Sequence, residues 1–259
     1  MDDEDGRYLA ETLRVLSPAG EWTTRTDAEA DRLRPAPGSQ LREDDDQADP
    51  YHVSHAAWRS LSTAVDHLGC LRVLLGDAKT IHMYAPFTLV RSALENGSTA
   101  AWMLQPPQRK ERLARRLRFA IEDIRNGERA RKLTGQAGPR TEKERIDQIR
   151  AIVDCAGLDA AALKERATYS EIIQAVDESK NARHTIEMSW KVCSGFAHGD
   201  MWATLAASRR TQMPSPAEEG VGTFKIEANL SLLMNVTMIA VAVTKSGWQL
   251  FDQRCQPPS

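Results

Sequence analysis

Cysteine is scarce in this chain, and the few cysteines are scattered. Four occur among 259 residues, and no two of them form a C-x-x-C pair. So few, widely spaced cysteines are not typical of a disulfide framework, and a cysteine-based zinc site usually has paired spacing. We therefore expect reduced, small, buried side chains at all four positions. These are Cys70, Cys155, Cys193 and Cys255.

The chain also lacks the features that direct a protein to a membrane. Its first ten residues, MDDEDGRYLA, are acidic where a secretory signal needs positive charge and an apolar core. Its longest apolar run, residues 230–243, is interrupted by Ser231, Asn235 and Thr237. That run is also shorter than the roughly 20 residues of a membrane span. We expect a cytoplasmic protein without a membrane partner.

Several common signatures of catalysis are missing as well. The chain has no Gly-rich phosphate loop, no G-x-S-x-G elbow that would make Ser194 a hydrolase nucleophile, and no E-x-x-H pair of the di-iron bundles. Asp49, His52 and His55 could hold a metal from one helix face, but a single H-x-x-H near a helix start is more often surface polar sequence. We expect no metal and no cofactor.

Charge is present in quantity and is unevenly distributed. Residues 1–50 hold 14 Asp/Glu and 6 Lys/Arg, a balance of −8, whereas the whole chain carries −2. Residues 17–50 combine Pro, Gly and an acidic run, which is typical of a linker. The sequence predicts an acidic, partly disordered segment over 1–50 with one short helix at 8–16, and a helical bundle domain over 51–259. The acidic segment could be a solvated tail or a flap over a basic surface.

Hydrophobic residues recur with a helical period over most of the remaining chain. This spacing predicts helices over residues 51–76, 79–104, 108–133, 182–198 and 228–252. Thr141 and Thr168 each stand three residues before a Glu, which is the capping-box pattern at a helix start. Gly199 fits a helix that ends in a left-handed residue.

Two short stretches, 203–208 and 222–227, have the character of strands and could pair as a β-hairpin. The predicted fold class is therefore all-α: an antiparallel helical bundle, with a small β-hairpin inserted near 203–227.

Two distant helical segments each carry a polar pair four residues apart inside otherwise apolar sequence. The pairs are Arg91/Glu95 and Ser194/His198. Residues four apart share a helix face, and a buried charge needs a partner, so we expect the two pairs to meet in one polar pocket. A histidine there could act as an acid or base near neutral pH. The simpler alternative is an ion pair within one helix, Arg91/Glu95, whose remaining hydrogen bonds are made by Ser194 and His198; such a cluster fixes one packing arrangement without catalysis.

The phrases LVRSALENGSTAAWML and CSGFAHGD carry a resemblance to uncharacterised bacterial helical proteins with an Arg-plus-Glu helix and a later Ser-x-x-x-His helix. These in turn are distantly similar to the HEPN superfamily, helical bundles that include RNA-cleaving toxins and phage-defence effectors. The resemblance covers about residues 55–200, and it implies a role for the four polar residues in RNA cleavage. In HEPN nucleases, four to six residues separate an Arg from the following His, and this chain departs from that pattern. The slots before His198 hold Cys193, Val192 and Lys191.

A basic helix is the second feature that bears on function. Residues 109–132 hold ten Lys/Arg against four Asp/Glu, and the densest part contains Arg112, Arg115, Arg116 and Arg118. Arginines along one side of a helix can contact successive phosphates, which predicts salt-sensitive RNA or DNA binding. The alternative is a solvated helix face with acidic neighbours.

Two functional hypotheses follow. The first is a HEPN-like protein that acts on or binds RNA, such as a toxin or phage-defence effector, with Arg91, Glu95, Ser194 and His198 as catalytic residues. The second is a non-catalytic interaction or scaffold module in which the polar cluster is structural. In that case the apolar last helix, or faces that bear Trp, would form a homo-oligomer interface.

Overall fold

The computed structural model describes residues 3–27, 34–136, 138–163, 167–214 and 222–257. These residues are mostly helical, with one two-stranded sheet, so the predicted all-α class with a small hairpin is confirmed. The helices are α1 (Asp3–Val15), α2 (Pro18–Thr26), α3 (Gln40–Ala48), α4 (Val53–Arg72), α5 (Ala85–Leu104), α6 (Arg109–Thr134), α7 (Glu142–Cys155), α8 (Tyr169–Ser179), α9 (Thr185–His198), α10 (Met201–Ala207) and α11 (Leu230–Cys255). A π-helical turn spans Val73–Asp77, and a 3-10 turn spans Ala160–Leu163.

The described residues divide into two compact units, each built from three stretches of chain. The first unit draws on residues within 1–28, 62–97 and 177–245, and the second on residues within 29–61, 98–176 and 246–259. Neither unit is a continuous segment, and residues before 50 contribute to both.

Among the described residues of the first fifty, the structure has three helices where the sequence predicts one. The predicted linker is wrong at α2, which begins at Pro18, and at α3, which begins after Ser39. The Ser39 hydroxyl accepts a hydrogen bond from the Arg42 backbone N–H at 3.2 Å, which is a standard N-cap. Leu41 and Ala48 of α3 are fully buried, so this short helix belongs to the core of the second unit.

The capping boxes and the terminal glycine predicted from the sequence are present at the helix ends. Thr141 and Glu144 form the predicted capping box at the start of α7. At Thr168 the hydroxyl accepts from the Glu171 backbone N–H at 3.3 Å while the Glu171 carboxylate accepts from the Thr168 N–H at 2.9 Å, so the second box is confirmed. Gly199 ends α9 with a φ of 72°, a left-handed conformation that glycine adopts without strain.

The core of the first unit depends on two close helix approaches that glycine permits. A Cβ at Gly97 of α5 would lie 2.8 Å from Thr244 Oγ1 of α11 and 3.3 Å from Thr244 Cα. A Cβ at Gly195 of α9 would lie 2.6 Å from the Cβ of Ala203 in α10. These contacts fix α11 and α10 against the two helices that carry the candidate site.

The predicted hairpin exists, but its first strand lies later in the chain than expected. Residues 203–208 fall mostly within α10, and the strands are β1 (Arg209–Met213) and β2 (Thr223–Glu227). The strands pair antiparallel, with Arg210 opposite Ile226 and Gln212 opposite Phe224. Ala-rich MWATLAA is good helical sequence, which explains why this stretch is helical.

α11 is longer than the apolar run that the sequence analysis measured. Among the described residues it is the one helix long and apolar enough to cross a membrane, with a mean hydropathy of 1.4 over its best 18 residues, and half of that window is buried. A core helix meets the same criterion, so this is weak evidence about membranes. The expectation of a cytoplasmic protein stays a prediction.

All four cysteines lie in the described part of the chain and are outside any disulfide there, as predicted, but the prediction that all are buried is wrong. Cys193 is buried, Cys255 is half-buried, and Cys70 and Cys155 are exposed. The exposed pair lies on the outward faces of α4 and α7, where sequence spacing alone did not separate outward from inward positions.

Candidate functional site

The candidate site is built on the antiparallel packing of α5 against α9, within the first unit. The Phe87 and Phe196 rings stack with centroids 4.2 Å apart and an angle of 15° between their planes. Both side chains are fully buried. Two turns further along α5, Glu95 contacts Trp190 of α9. The expectation that these two distant segments lie side by side is confirmed.

The N-terminus of α9 is held in place by one buried carboxylate. Asp177, at the end of α8, is 3% exposed. Its two oxygens accept from the backbone N–H of His184 at 2.9 Å and of Glu187 at 2.8 Å. The carboxylate thus caps α9 and lies at the positive end of its helix dipole. This cap fixes where α9 starts and therefore which of its residues face α5.

Glu95 is the centre of the polar cluster. Its Oε1 atom accepts from Arg91 Nε at 2.9 Å and from Trp190 Nε1 at 2.9 Å. The side chains of Arg91 and Glu95 are 25% and 10% exposed. A carboxylate with two strong donors on one oxygen, one of them a guanidinium, is satisfied as an ion and is tied to both helices. We call Arg91, Glu95 and Trp190 the Glu95 cluster.

Cys193 lies beside the Glu95 cluster and is chemically quiet. Burial raises the pKa of its thiol well above the ordinary range, and the nearby Arg91 opposes this only in part. A thiol with a raised pKa stays protonated near neutral pH, and it is then neither a nucleophile nor a metal ligand.

Ser194 and His198 do not join the Glu95 cluster, and this corrects the sequence analysis. Across the range 3–214 that the structure describes with short gaps, neither side chain forms a hydrogen bond or ion pair with Arg91 or Glu95. The packing register gives the reason. Residue 91 lies level with about residue 193, so His198 lies roughly 7 Å further along the axis of α9. His198 is exposed, and Ser194 is half-buried.

Trp190 is the member of the cluster that sequence reasoning missed. An indole N–H can only donate a hydrogen bond, so a partly buried Trp suits a buried carboxylate such as Glu95. Trp190 and Cys193 are three residues apart and share the helix face that meets α5, but the register between the two helices decides which face that is. Helical spacing within α9 pointed instead to the face of Ser194 and His198.

The chemistry that this arrangement supports is limited. Proton transfer needs a base within hydrogen-bonding reach of the group it deprotonates, and nucleophilic catalysis needs a nucleophile beside such a base. In the Glu95 cluster the carboxylate is engaged by a cation and an indole, and the adjacent thiol is buried. The geometry is that of an ion pair within α5 whose carboxylate also accepts a hydrogen bond from Trp190 of α9.

The predicted phosphate-binding face of α6 also differs from the structure, first of all at Arg112. This guanidinium lies in the second unit and is 2% exposed. Nε and Nη2 donate to the two oxygens of Asp44 at 2.6 and 2.9 Å, and Nη1 donates to the carbonyls of Pro106 and Pro107 at 3.0 and 2.8 Å. Arg112 is therefore part of the core and cannot contact a phosphate.

Arg116 points inward as well. It is 9% exposed, its Nε donates to the carbonyl of His52 at 3.0 Å, and its guanidinium lies 5.8 Å from the centroid of the Tyr51 ring. Burial, with repulsion from Arg59, lowers its pKa to about 10. Within the described part of the chain its Nη1 has no hydrogen-bond partner.

Arg115 and Arg118 both lie over the ring of Trp102, at 5.2 and 5.8 Å from its centroid. Arg115 also donates to the Trp102 carbonyl at 2.6 Å and pairs with Glu111 at 2.5 Å. The prediction of a row of four arginines facing solvent is therefore wrong. Two of them are buried, and the other two contact the ring of Trp102.

The metal candidate of the sequence analysis contains two histidine rings in edge-to-face contact. His52 Nε2 lies 3.1 Å from Asp49 Oδ1, and the His52 and His55 rings meet edge to face at 4.5 Å. Asp45 is engaged elsewhere, because it caps α4 by accepting from the N–H of Ser54 at 3.0 Å. No group of three or more potential ligands with metal-site geometry occurs among the described residues.

Comparison of the chain with protein families, with curated proteins and with solved structures finds no match. The resemblance to the HEPN superfamily therefore stays a prediction.

Proposed function

We propose that this chain is a non-catalytic helical interaction module in which the Glu95 cluster is structural. The observation that carries the proposal is the double engagement of Glu95 Oε1 by Arg91 and Trp190, at 2.9 Å each. A carboxylate held in this way joins two helices, which is the role expected of a structural group.

The position of His198 supports the same proposal. A HEPN-like mechanism would need this imidazole close to Arg91, and the packing register separates them along α9. The burial of Arg112 and Arg116 removes half of the arginines that were expected to guide RNA to the site. The RNA hypothesis loses its two main structural requirements, although it stays open to experiment.

A second feature favours an interaction role. The segment that follows α9 exposes large apolar side chains: Met201 is 73% exposed and Trp202 is 51% exposed. Leu205, one turn further along α10, is 38% exposed. Neighbouring exposed apolar groups of this size are typical of surfaces that contact another macromolecule, and Trp and Met are enriched in such interfaces.

Two substitutions test the proposal. Glu95→Gln keeps the shape of the side chain but removes its charge, and we expect it to lower the free energy of unfolding by about 1–3 kcal/mol. His198→Ala should change that free energy by less than about 0.5 kcal/mol, because the side chain is exposed. Urea unfolding followed by circular dichroism measures both.

Incubation of the purified protein with total RNA, with and without divalent metal, decides between the two hypotheses. We expect intact RNA in every lane. Cleavage by the wild type that disappears in His198→Ala would overturn the proposal in favour of a HEPN-like nuclease.

A further inference from the structure

The β-hairpin exposes almost its whole surface. Every residue of β1 is exposed, and in β2 only Ile226 is half-buried. Within the described residues the sheet consists of these two strands, so the outer edge of β2 has no neighbouring strand. A two-stranded sheet is marginally stable alone, and an open strand edge is a ready template for pairing with another chain.

The two faces of β2 differ in chemistry. Phe224 and Ile226 are two residues apart and lie on one face, opposite Gln212 and Arg210 of β1. Lys225 and Glu227 lie on the other face, where they form an ion pair at 2.8 Å, and both stay about half exposed. β2 therefore has an apolar face and a face that carries one charge of each sign.

We propose that β2 pairs antiparallel with β2 of a second copy of this chain, around a two-fold axis at Ile226. In this register Ile226 lies opposite Ile226 of the other copy. Lys225 of each copy lies opposite Glu227 of the other, and the apolar contact extends to Phe224 on the same face. A two-fold axis makes the same patch serve both copies, as most dimers require. The inference rests on the proposed function, since it names the partner of an interaction module.

Charge selects this register over its alternatives. If the axis passed through Lys225, two lysines would face each other directly, which is destabilising. Pairing through the outer edge of β1 offers no acidic residue, because its sequence is RRTQM and it begins with two arginines. Only the register centred on Ile226 brings each lysine opposite a glutamate.

Analytical ultracentrifugation of the full chain tests the proposal. We expect a monomer–dimer equilibrium for the wild type. Lys225→Glu and Glu227→Lys each turn two attractive cross-strand pairs per dimer into repulsive ones, so each should weaken dimerisation at least about tenfold.

The two variants mixed together provide the sharpest control. In a mixed dimer every glutamate of one chain faces a lysine of the other, so the mixture should dimerise although neither variant does so alone. The double variant Lys225→Glu/Glu227→Lys should dimerise by itself. Ile226→Lys, which leaves both charges in place, should abolish the dimer by setting two lysines on the axis. Far-ultraviolet circular dichroism confirms that each variant is folded.

A monomeric wild type at all concentrations would overturn the inference, as would a dimer that persists in both single variants or a mixture that stays monomeric. An extended peptide from another protein would then be the occupant to consider for this edge. None of these outcomes bears on the RNA and unfolding measurements, which judge the proposed function separately.

Discussion

Arg112 offers the most decisive test of how α6 is used. The side chain is 2% exposed, and its guanidinium makes four hydrogen bonds: two to Asp44 and one each to the carbonyls of Pro106 and Pro107. Replacement by Met keeps much of the volume but leaves a fully buried carboxylate without its main counter-charge. Breaking a buried pair from one side costs about 3–5 kcal/mol.

The matched control is Arg129→Met on the same helix. Arg129 is exposed and donates to the Asn126 side chain at 2.8 Å, three residues earlier. Its replacement should change the free energy of unfolding by less than about 0.5 kcal/mol. Urea unfolding, fitted with one common slope of the unfolding free energy against urea concentration, gives the change in that free energy for both variants.

A second substitution separates the ion pair from packing. In Asp44→Asn/Arg112→Met the stranded charge is gone, so the double variant should be less destabilised than the sum of the single variants by at least about 1 kcal/mol. If Arg112→Met unfolds like Arg129→Met and instead weakens RNA binding, Arg112 is a phosphate contact and the reasoning is refuted.

Two further predictions concern packing and pH. Gly97→Ala should destabilise the protein by about 1–3 kcal/mol, since the new methyl would lie 2.8 Å from Thr244 Oγ1. The control Gly127→Ala should stabilise it by about 0.5–1 kcal/mol, because the nearest neighbour there is the end of the Arg131 side chain at 4.0 Å. Equal effects of the two substitutions in thermal unfolding would contradict the close approach of α5 and α11. His55 is exposed overall, but partial desolvation of its ring, with repulsion from His52, lowers its pKa. The unfolded chain therefore takes up this proton first as pH falls below about 6.5, and the free energy of unfolding should decrease from pH 7 towards pH 5. His55→Gln should make that decrease smaller, and an unchanged profile would show that His55 does not contribute.

The helices could be predicted from the sequence because the signals that define them are local. The capping boxes at Thr141 and Thr168 and the left-handed Gly199 are decided by residues within one turn. The prediction that Arg112 faces solvent is wrong because its burial depends on a residue far away in the sequence. Its partner Asp44 lies in α3, inside a stretch whose composition predicts a linker. The predicted fold therefore contained no carboxylate with which a buried Arg112 could pair.

The candidate site was half predictable for a similar reason. The pair Arg91/Glu95 follows from helical spacing, and its burial follows from the apolar sequence around it. The partner residues on α9 depend on the register between two helices, which the stacking of Phe87 on Phe196 decides. Spacing within one helix contains no information about that register, and so Trp190 was missed while Ser194 and His198 were included.

The central claim is that Glu95 joins α5 to α9 as a structural group, and a double-mutant cycle between Glu95→Gln and Trp190→Phe measures that link directly. Trp190→Phe removes the indole donor and keeps an aromatic ring in place. We predict a coupling free energy of about 1 kcal/mol or more between the two positions. Additive effects, with no coupling beyond experimental error, would contradict the claim.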